Sequence, residues 1–362
     1  MCTGTDVQVS SYDPVLSSDQ DCWLDYPCSC SLSSSSRLAL SLLIFLAILV
    51  LPADVQSQPS APPRIVALNL DALEALRILQ AQNMVVGIND GVQEHPDFWG
   101  DLADLPVVGS WREPNYELLY SLKPDLLITY SKWPGPELER KLSPLHTKVL
   151  RLDLYRIHTF AQDLTILARE LGHEEQARKF LTWHNRQLGK VQSVVDTGES
   201  RSLVYLESYT DFHALGPGSG GYEMGVLAGG DNVGIDLQIA YPEISPEWVS
   251  RHNPEVIIKH VPCSGLDANA AKHLRTFRRA ISQRPGWGHI RAVSSGRVFT
   301  LSSDICAGPR AIVGIMYMAR WFYPEQSTKL HPRAVHREYL KKFHDQDFHG
   351  VFAWPYSPRK DS

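Results

Sequence analysis

The chain has 362 residues, enough for two domains of ordinary size. Hydrophobic residues make up 43% and charged residues 21%, which excludes a disordered or fibrous chain. A net charge of -5 offers no basic surface for nucleic acid.

Residues 1–36 are rich in Ser and hold Cys2, Cys22, Cys28 and Cys30. They read as a disordered leader or as an upstream extension from a misplaced start. Cys28-x-Cys30 is too sparse for a zinc site. Residues 38–52, "LALSLLIFLAILVLP", form an uncharged apolar run behind Arg37, and "ADVQSQPSAPP" follows. Segment 37–57 therefore has the form of a signal peptide, with Val55 and Ser57 at the −3 and −1 cleavage positions. The run is short for a spanning helix, and an uncleaved membrane anchor is the alternative. The expectation is an exported chain, at the periplasmic or extracellular face of the membrane.

Strand and helix patterns alternate from residue 62 onward. Ile65–Leu68 reads as a first strand, 71–82 as a helix with Leu73, Leu76 and Leu79 on one face, and "NMVVGI" as a second strand. "LPVVGS" (105–110), "DLLITY" (125–130) and "PLHTKVLRLD" (144–153) read as further strands, closing a first lobe over 62–154. Residues 155–198 read as a helical linker with Leu164, Leu167 and Leu171 on one face, interrupted at Gly172. A second lobe, 199–324, runs from "SLVYLES" through a glycine-rich loop (216–230) to a helix over 308–324; a mixed tail occupies 325–362, weakly helical near 332–344. Alternation of this kind predicts an α/β fold: two Rossmann-like lobes with parallel sheets, joined by a long helical linker, with a ligand cleft between them.

One short pattern occurs twice. "EPNYELLYSLKPDLLI" (113–128) and "SPEWVSRHNPEVII" (245–258) each place an N-capping Asn115 or Ser245 two residues before Glu117 or Glu247. The glutamate falls in the first helical turn, where the helix dipole favours it. Pro124 or Pro254 then forbids continuation, and an apolar strand follows. Chance similarity of two helix–turn–strand units is the competing explanation for this pair taken alone.

Ligands of open parallel sheets bind beyond the carboxyl ends of the strands. The residues there are Asn69, Asp90, Gly91, Trp111, Arg112, Tyr130, Lys132, Trp133, Tyr209, His213, Tyr222, Asp304 and Arg310. Aromatic faces give large contact area at small entropic cost, and arginine forks suit carboxylate or catecholate oxygens. Any one aromatic reads equally well as core packing; the set carries the inference, and its ligand-binding members are Asn69, Trp111, Arg112, Tyr130, Trp133, Tyr209, His213, Tyr222 and Arg310. Cys263 and Cys306 are the cysteines left after the leader. An even pair in an exported chain suggests a disulfide, two separate buried thiols being the alternative.

Enzyme motifs fare poorly. "GPGSGG" lacks the Lys-Ser/Thr ending of a phosphate loop, the first turn has no G-x-G-x-x-G, and Ser219 is not in a G-x-S-x-G elbow. No H-E-x-x-H occurs among the 14 histidines. No catalytic residue and no resident cofactor or metal site is assigned.

The stretches "EPNYELLYSLKPDLLI", "YEMGVLAGGDNVG", "YPEISPEWVSRHNPEVII" and "GPRAIVGIMYMARWFYP" resemble the class III, helical-backbone substrate-binding proteins of ABC importers for iron-siderophores, haem and corrinoids. The resemblance covers roughly 62–356. It implies a monomeric, non-enzymatic binding protein that captures a chelated metal or a corrinoid. Its partner would be an ABC permease dimer with a cytoplasmic ATPase. It further implies that Glu117 and Glu247 dock onto permease arginines. Two alternatives stand beside it. One is a binder of an uncomplexed metal ion through His95 or His213. The other is a nitrogenase-like metallocluster or enzyme component, for which two cysteines after the leader are too few to supply four thiolates.

Overall fold

The computed structural model describes residues 61–198 and 200–355; the leader and the apolar run at 38–52 lie outside them. Four parallel strands form the first sheet: β1 (Ile65–Ala67), β2 (Val85–Ile88), β3 (Leu126–Thr129) and β4 (Lys148–Arg151), in the order β2-β1-β3-β4. Helices α1 (Leu70–Ile78), α2 (Tyr116–Leu122) and α3 (Glu137–Leu142) belong to this lobe. Strands such as "LLIT" are buried throughout, as expected when helices cover both faces. The stretch "LPVVGS" makes two isolated bridges, Val107 to Ile88 in parallel and Gly109 to Pro114 in antiparallel sense, rather than a full strand.

After α4 (Ile157–Leu171) and α5 (Glu174–Asp196) comes the second sheet. It contains β5 (Leu203–Glu207), β6 (Asp231–Asn232), β7 (Val256–Val261), β8 (Val298–Ser302) and β9 (Ala353–Trp354), in the order β6-β5-β7-β8-β9. Helices α6 (Gly220–Leu227), α7 (Pro246–His252), α8 (Ala270–Ser282), α9 (Ala311–Phe322) and α10 (Pro332–His344) complete it. Its first four strands, all parallel, repeat the order of the first sheet, and β9 adds an antiparallel edge.

The repeated sequence is a repeated structure. Asn115 Oδ1 accepts from Leu118 N at 3.1 Å, and Ser245 Oγ accepts from Trp248 N at 3.2 Å. Both helices end in a left-handed residue, Lys123 at φ 45° and Asn253 at φ 44°, one position before the proline. The following acid then ties the unit to the neighbouring strand. Asp125 accepts from Arg64 N at 2.8 Å, and Glu255 from Leu203 N at 3.4 Å.

The linker is two helices rather than one. Gly172, at φ 70°, ends α4 with its N–H bonded to the carbonyls of Ala168 and Arg169. A left-handed residue is cheapest as glycine, so the break is written in the sequence. α5 packs on α1 of the first lobe and α9 of the second, and α4 packs on α6. Buried Phe160, Phe180, Trp183 and Tyr339 form one aromatic knot with partly buried Phe343, the Phe180 and Phe343 centroids lying 4.9 Å apart.

Residues 325–355 are built into the fold rather than trailing from it, since α10 packs on α1 and α9 while β9 pairs with β8. Tyr339 of α10 donates to Glu74 Oε1 at 2.5 Å, and Arg310 Nε lies 2.9 Å from the same oxygen. Glu74, on α1, is only 4% exposed. One buried carboxylate thus joins the first lobe to two elements of the second. Removing one partner of such a pair leaves a buried charge uncompensated, which costs about 3–5 kcal/mol. Glu74→Ala is expected to lower stability by about that amount in urea unfolding. A loss within experimental error of zero would show that the clamp does not hold the lobes.

Candidate functional site

A cavity of about 560 Å³ opens between the carboxyl ends of the two sheets. The first lobe contributes Trp111, Tyr130, Trp133 and Tyr155, and the second contributes Tyr209 and Tyr241. Trp111 meets Tyr130 edge-to-face at 5.6 Å and Trp133 at 6.3 Å, while Tyr130 meets Tyr155 at 5.3 Å. This is the geometry aromatic quadrupoles favour. Trp133 and Tyr241 are each 51% exposed and Tyr209 41%. Large apolar surface left open inside a cleft is surface for a ligand to cover.

Ion pairs hold the loops that carry these rings. Arg151 fixes the loop after β3, donating to the carbonyls of Tyr130 and Pro134 at 3.0 and 2.8 Å while pairing with Glu139. The loop after β5 is held through Asp211, which lies 2.9 Å from Lys259 Nζ and 3.2 Å from Arg284. Lys259 and Glu207 are fully buried and pair at 2.9 Å, so their charges are compensated inside the second sheet. Arg156 binds Glu223 at 3.0 Å, and Glu223 also accepts from Ile157 N at the start of α4.

The cavity floor carries Asp71 and His260. Tyr130 Oη donates to Asp71 Oδ2 at 2.6 Å. Desolvation raises the Asp71 carboxyl to about 6; the Tyr130 bond works in the opposite direction, and nearby Glu74 adds to the rise. His260 is 2% exposed, and burial pushes it down to about 3, so it is a neutral imidazole; its Nε2 has no hydrogen-bond partner. The ring lies under Gly221, where a Cβ would sit 2.8 Å from His260 Cε1. Glycine lets the start of α6 close over the imidazole.

The structure brings Trp111, Tyr130, Lys132, Trp133 and Tyr209 together in this wall. Other expected residues sit elsewhere. Asn69 is buried and caps α1 by accepting from Ala72 N at 2.8 Å. Arg112 lies outside the wall, its guanidinium 4.3 Å from the Trp111 ring centroid and 5.8 Å from that of Trp133, bracing both. His213 bonds to the Asp211 carbonyl at 3.0 Å and bridges to Glu243, away from the cavity. Tyr222 occupies the first turn of α6, outside the wall. Arg310 is held by Glu74, with Asp304 at 3.9 Å; Arg310 and Asp304 border a second cavity, as do Gly91 and His95. His95 Nε2 lies 3.9 Å from Asp267. Among the described residues no group of three or more His, Cys, Asp or Glu is gathered to hold a metal ion.

The expected Cys263–Cys306 bridge is not formed. Both are free buried thiols. Cys306 Sγ donates to Ser302 O at 3.0 Å, and Cys263 packs with Val261 and Leu274 while burial pushes its thiol up to about 12. Glu117 and Glu247 are both exposed in the first turns of α2 and α7.

Sequence reasoning missed Asp71, Tyr155, Arg156, Tyr241 and His260. Tyr155 and Arg156 stand just after β4, a strand end the same rule covers. Asp71 and His260 gave no signal, because a first-turn acid and a strand histidine are ordinary in sequence.

The Asp71 shift has a measurable sign. Its folded value lies above the ordinary 3.8, so the folded state binds the proton more tightly. The penalty on stability is absent below pH about 3.8 and complete above about 6, so stability attributable to Asp71 falls as pH rises through that window. Carboxyl NMR should place the Asp71 midpoint near 6. Tyr130→Phe should move it higher; a midpoint that fell would contradict the assignment.

The family model described as periplasmic binding protein matches residues 65–305. The Vitamin B12-binding protein of Salmonella typhi is 27% identical over 172 residues, 46% of this chain and 63% of that protein, so the match spans less than two thirds of its length. The Fe(3+)-citrate-binding protein YfmC of Bacillus subtilis is 24% identical over 246 residues, 67% of this chain and 74% of that one. The crystal structure of the TroA-like periplasmic binding protein FepB from Veillonella parvula superposes with a TM-score of 0.67 at 19% identity, covering 82% of this chain and 95% of that chain, a likeness of fold. With two duplicated parallel sheets, a helical linker between them and a family match across both lobes, the chain belongs to the periplasmic binding protein family.

Proposed function

We propose that the protein is the capture component of an ABC importer outside the cytoplasm, taking a chelated metal or a corrinoid between its lobes and delivering it to a membrane permease driven by a cytoplasmic ATPase. The observation that carries this reading is the open aromatic cavity at the facing ends of two duplicated sheets. Six rings from both lobes suit a large, flat or ring-bearing cargo better than a bare ion. The relatives named for vitamin B12 and Fe(3+)-citrate support that class. Capture rather than chemistry also suits two charged groups of the wall that are each committed to a neighbour: Asp71 to Tyr130, and Arg156 to Glu223.

Tryptophan fluorescence tests it directly, since Trp111 and Trp133 line the cavity. Titration with cyanocobalamin, haemin, ferric dicitrate and ferric siderophores should show saturable quenching by at least one. Trp133→Ala should weaken that binding by roughly two- to tenfold, the worth of one aromatic contact. Silence across the panel, with a free cation binding through His95 or His213, would replace the reading with an uncomplexed-metal binder.

Docking follows from the paired acids. Glu117 and Glu247 occupy equivalent, exposed first-turn positions on the two lobes, and this placement suits a permease with approximate two-fold symmetry. Electrostatic complementarity there would mainly speed encounter. Reversing both charges (Glu117→Lys with Glu247→Lys) should abolish uptake into vesicles carrying the cognate permease and ATPase while leaving ligand affinity in solution unchanged. Undiminished uptake would remove both residues from the interface.

A further inference from the structure

The cleft has a second chamber of about 630 Å³. Trp111 and Tyr209 belong to the walls of both chambers and so divide them. The aromatic chamber draws on the loops after β3, β4 and β5, together with Asp71 after β1, Trp111 after β2, His260 on β7 and Cys306 and Ala307 after β8. The second collects loops after β1 and β2 of one sheet and β7 and β8 of the other. Its polar side chains include Glu94, His95, Ser264, Ser303, Asp304 and Arg310.

Charge decides what such a space accepts. Arg310 is the one guanidinium of the second chamber among the described residues, and it is already bound to Glu74 at 2.9 Å with Asp304 at 3.9 Å. Asp304 Oδ2 further accepts from Ser264 Oγ and from Gly265 N, at 2.8 and 2.6 Å. Glu94 adds an exposed carboxylate. The aromatic chamber is balanced, with Asp71 and Asp153 against Lys132 and Arg156, and Arg156 is held by Glu223. An anionic group entering the second chamber would lose water beside carboxylates with no free cation to meet it, a cost its hydrogen bonds do not offset.

We propose that the second chamber is a subsite for uncharged, hydrogen-bonding arms of the cargo, amides or hydroxyls, while the flat metal-bearing part lies against the aromatics of the first. This rests on the capture of a metal chelate proposed above. A corrin ring fringed with carboxamides has this form. Chelates that present ionised carboxylates, such as haemin and ferric citrate, do not.

The test is calorimetric titration of the purified protein with dicyanocobinamide, haemin and ferric dicitrate. Dicyanocobinamide should bind at least tenfold more tightly than either carboxylate-bearing chelate. Leu70→Trp and Leu266→Trp, which narrow the second chamber from opposite lobes and leave the first untouched, should each weaken dicyanocobinamide binding by tenfold or more. Haemin or ferric dicitrate binding as tightly as dicyanocobinamide, or more so, would overturn the subsite's charge preference while leaving chelate capture standing. Unchanged dicyanocobinamide binding in both folded variants would overturn the second chamber's role. Binding of none of the three, nor of any ferric siderophore, would remove chelate capture itself, and the subsite with it. The comparison among chelates uses the unaltered protein, so it stands even if a variant fails to fold.

Discussion

A single carboxylate, Glu74, lies where the lobes are held together. It is removed from water on α1 and shared by Arg310, just before α9, and Tyr339 on α10. In low dielectric such a charge is tolerable only while its partners stay in place. The lobes are therefore joined at this carboxylate, and the aromatic knot around Phe180 adds further packing. The open surface of the cleft lies where exposed Trp133, Tyr209 and Tyr241 have surface still to bury. Arg310 illustrates the trade: its position at a strand-end loop makes it look like a ligand residue, yet its charge serves architecture.

The same division runs through the second sheet. Glu207, Lys259 and Arg284 form a buried charge cluster beneath the loop that presents Tyr209. A lysine in the middle of a fully buried strand would be untenable alone. Paired, it anchors Asp211 and so holds the loop of Tyr209 against the sheet. Structural charges lie behind the cavity, and apolar rings with a few balanced charges line it.

Much of this was legible in the sequence. Two helix–turn–strand units written alike became α2–β3 and α7–β7, with caps, left-handed ends and strand-anchoring acids in matching places. Alternating apolar runs gave the two parallel sheets, and Gly172 marked the break in the linker. What stayed hidden depends on distant contacts. Nothing local distinguishes Asn69 as a helix cap from Asn69 as a ligand, or an Arg310 paired with Glu74 from one with a free guanidinium. The short β9 and the docking of α10 were hidden because their partners lie far away in the chain. Cys263 and Cys306 have even count and similar strand-end positions, but each thiol found separate local packing.

The clamp also bears on how the chain assembles. Tyr339 and Glu74 are 265 positions apart, so the first sheet can form early while the acid on α1 still lacks a final partner. Until α10 arrives, that carboxylate must stay hydrated or take a proton, and the packing around it must remain loose. Closure of so long a loop is slow compared with pairing of neighbouring strands. A nascent or truncated chain that stops short of α10 would therefore hold a first lobe with a wet, unsealed flank, the part most open to proteases and to self-association.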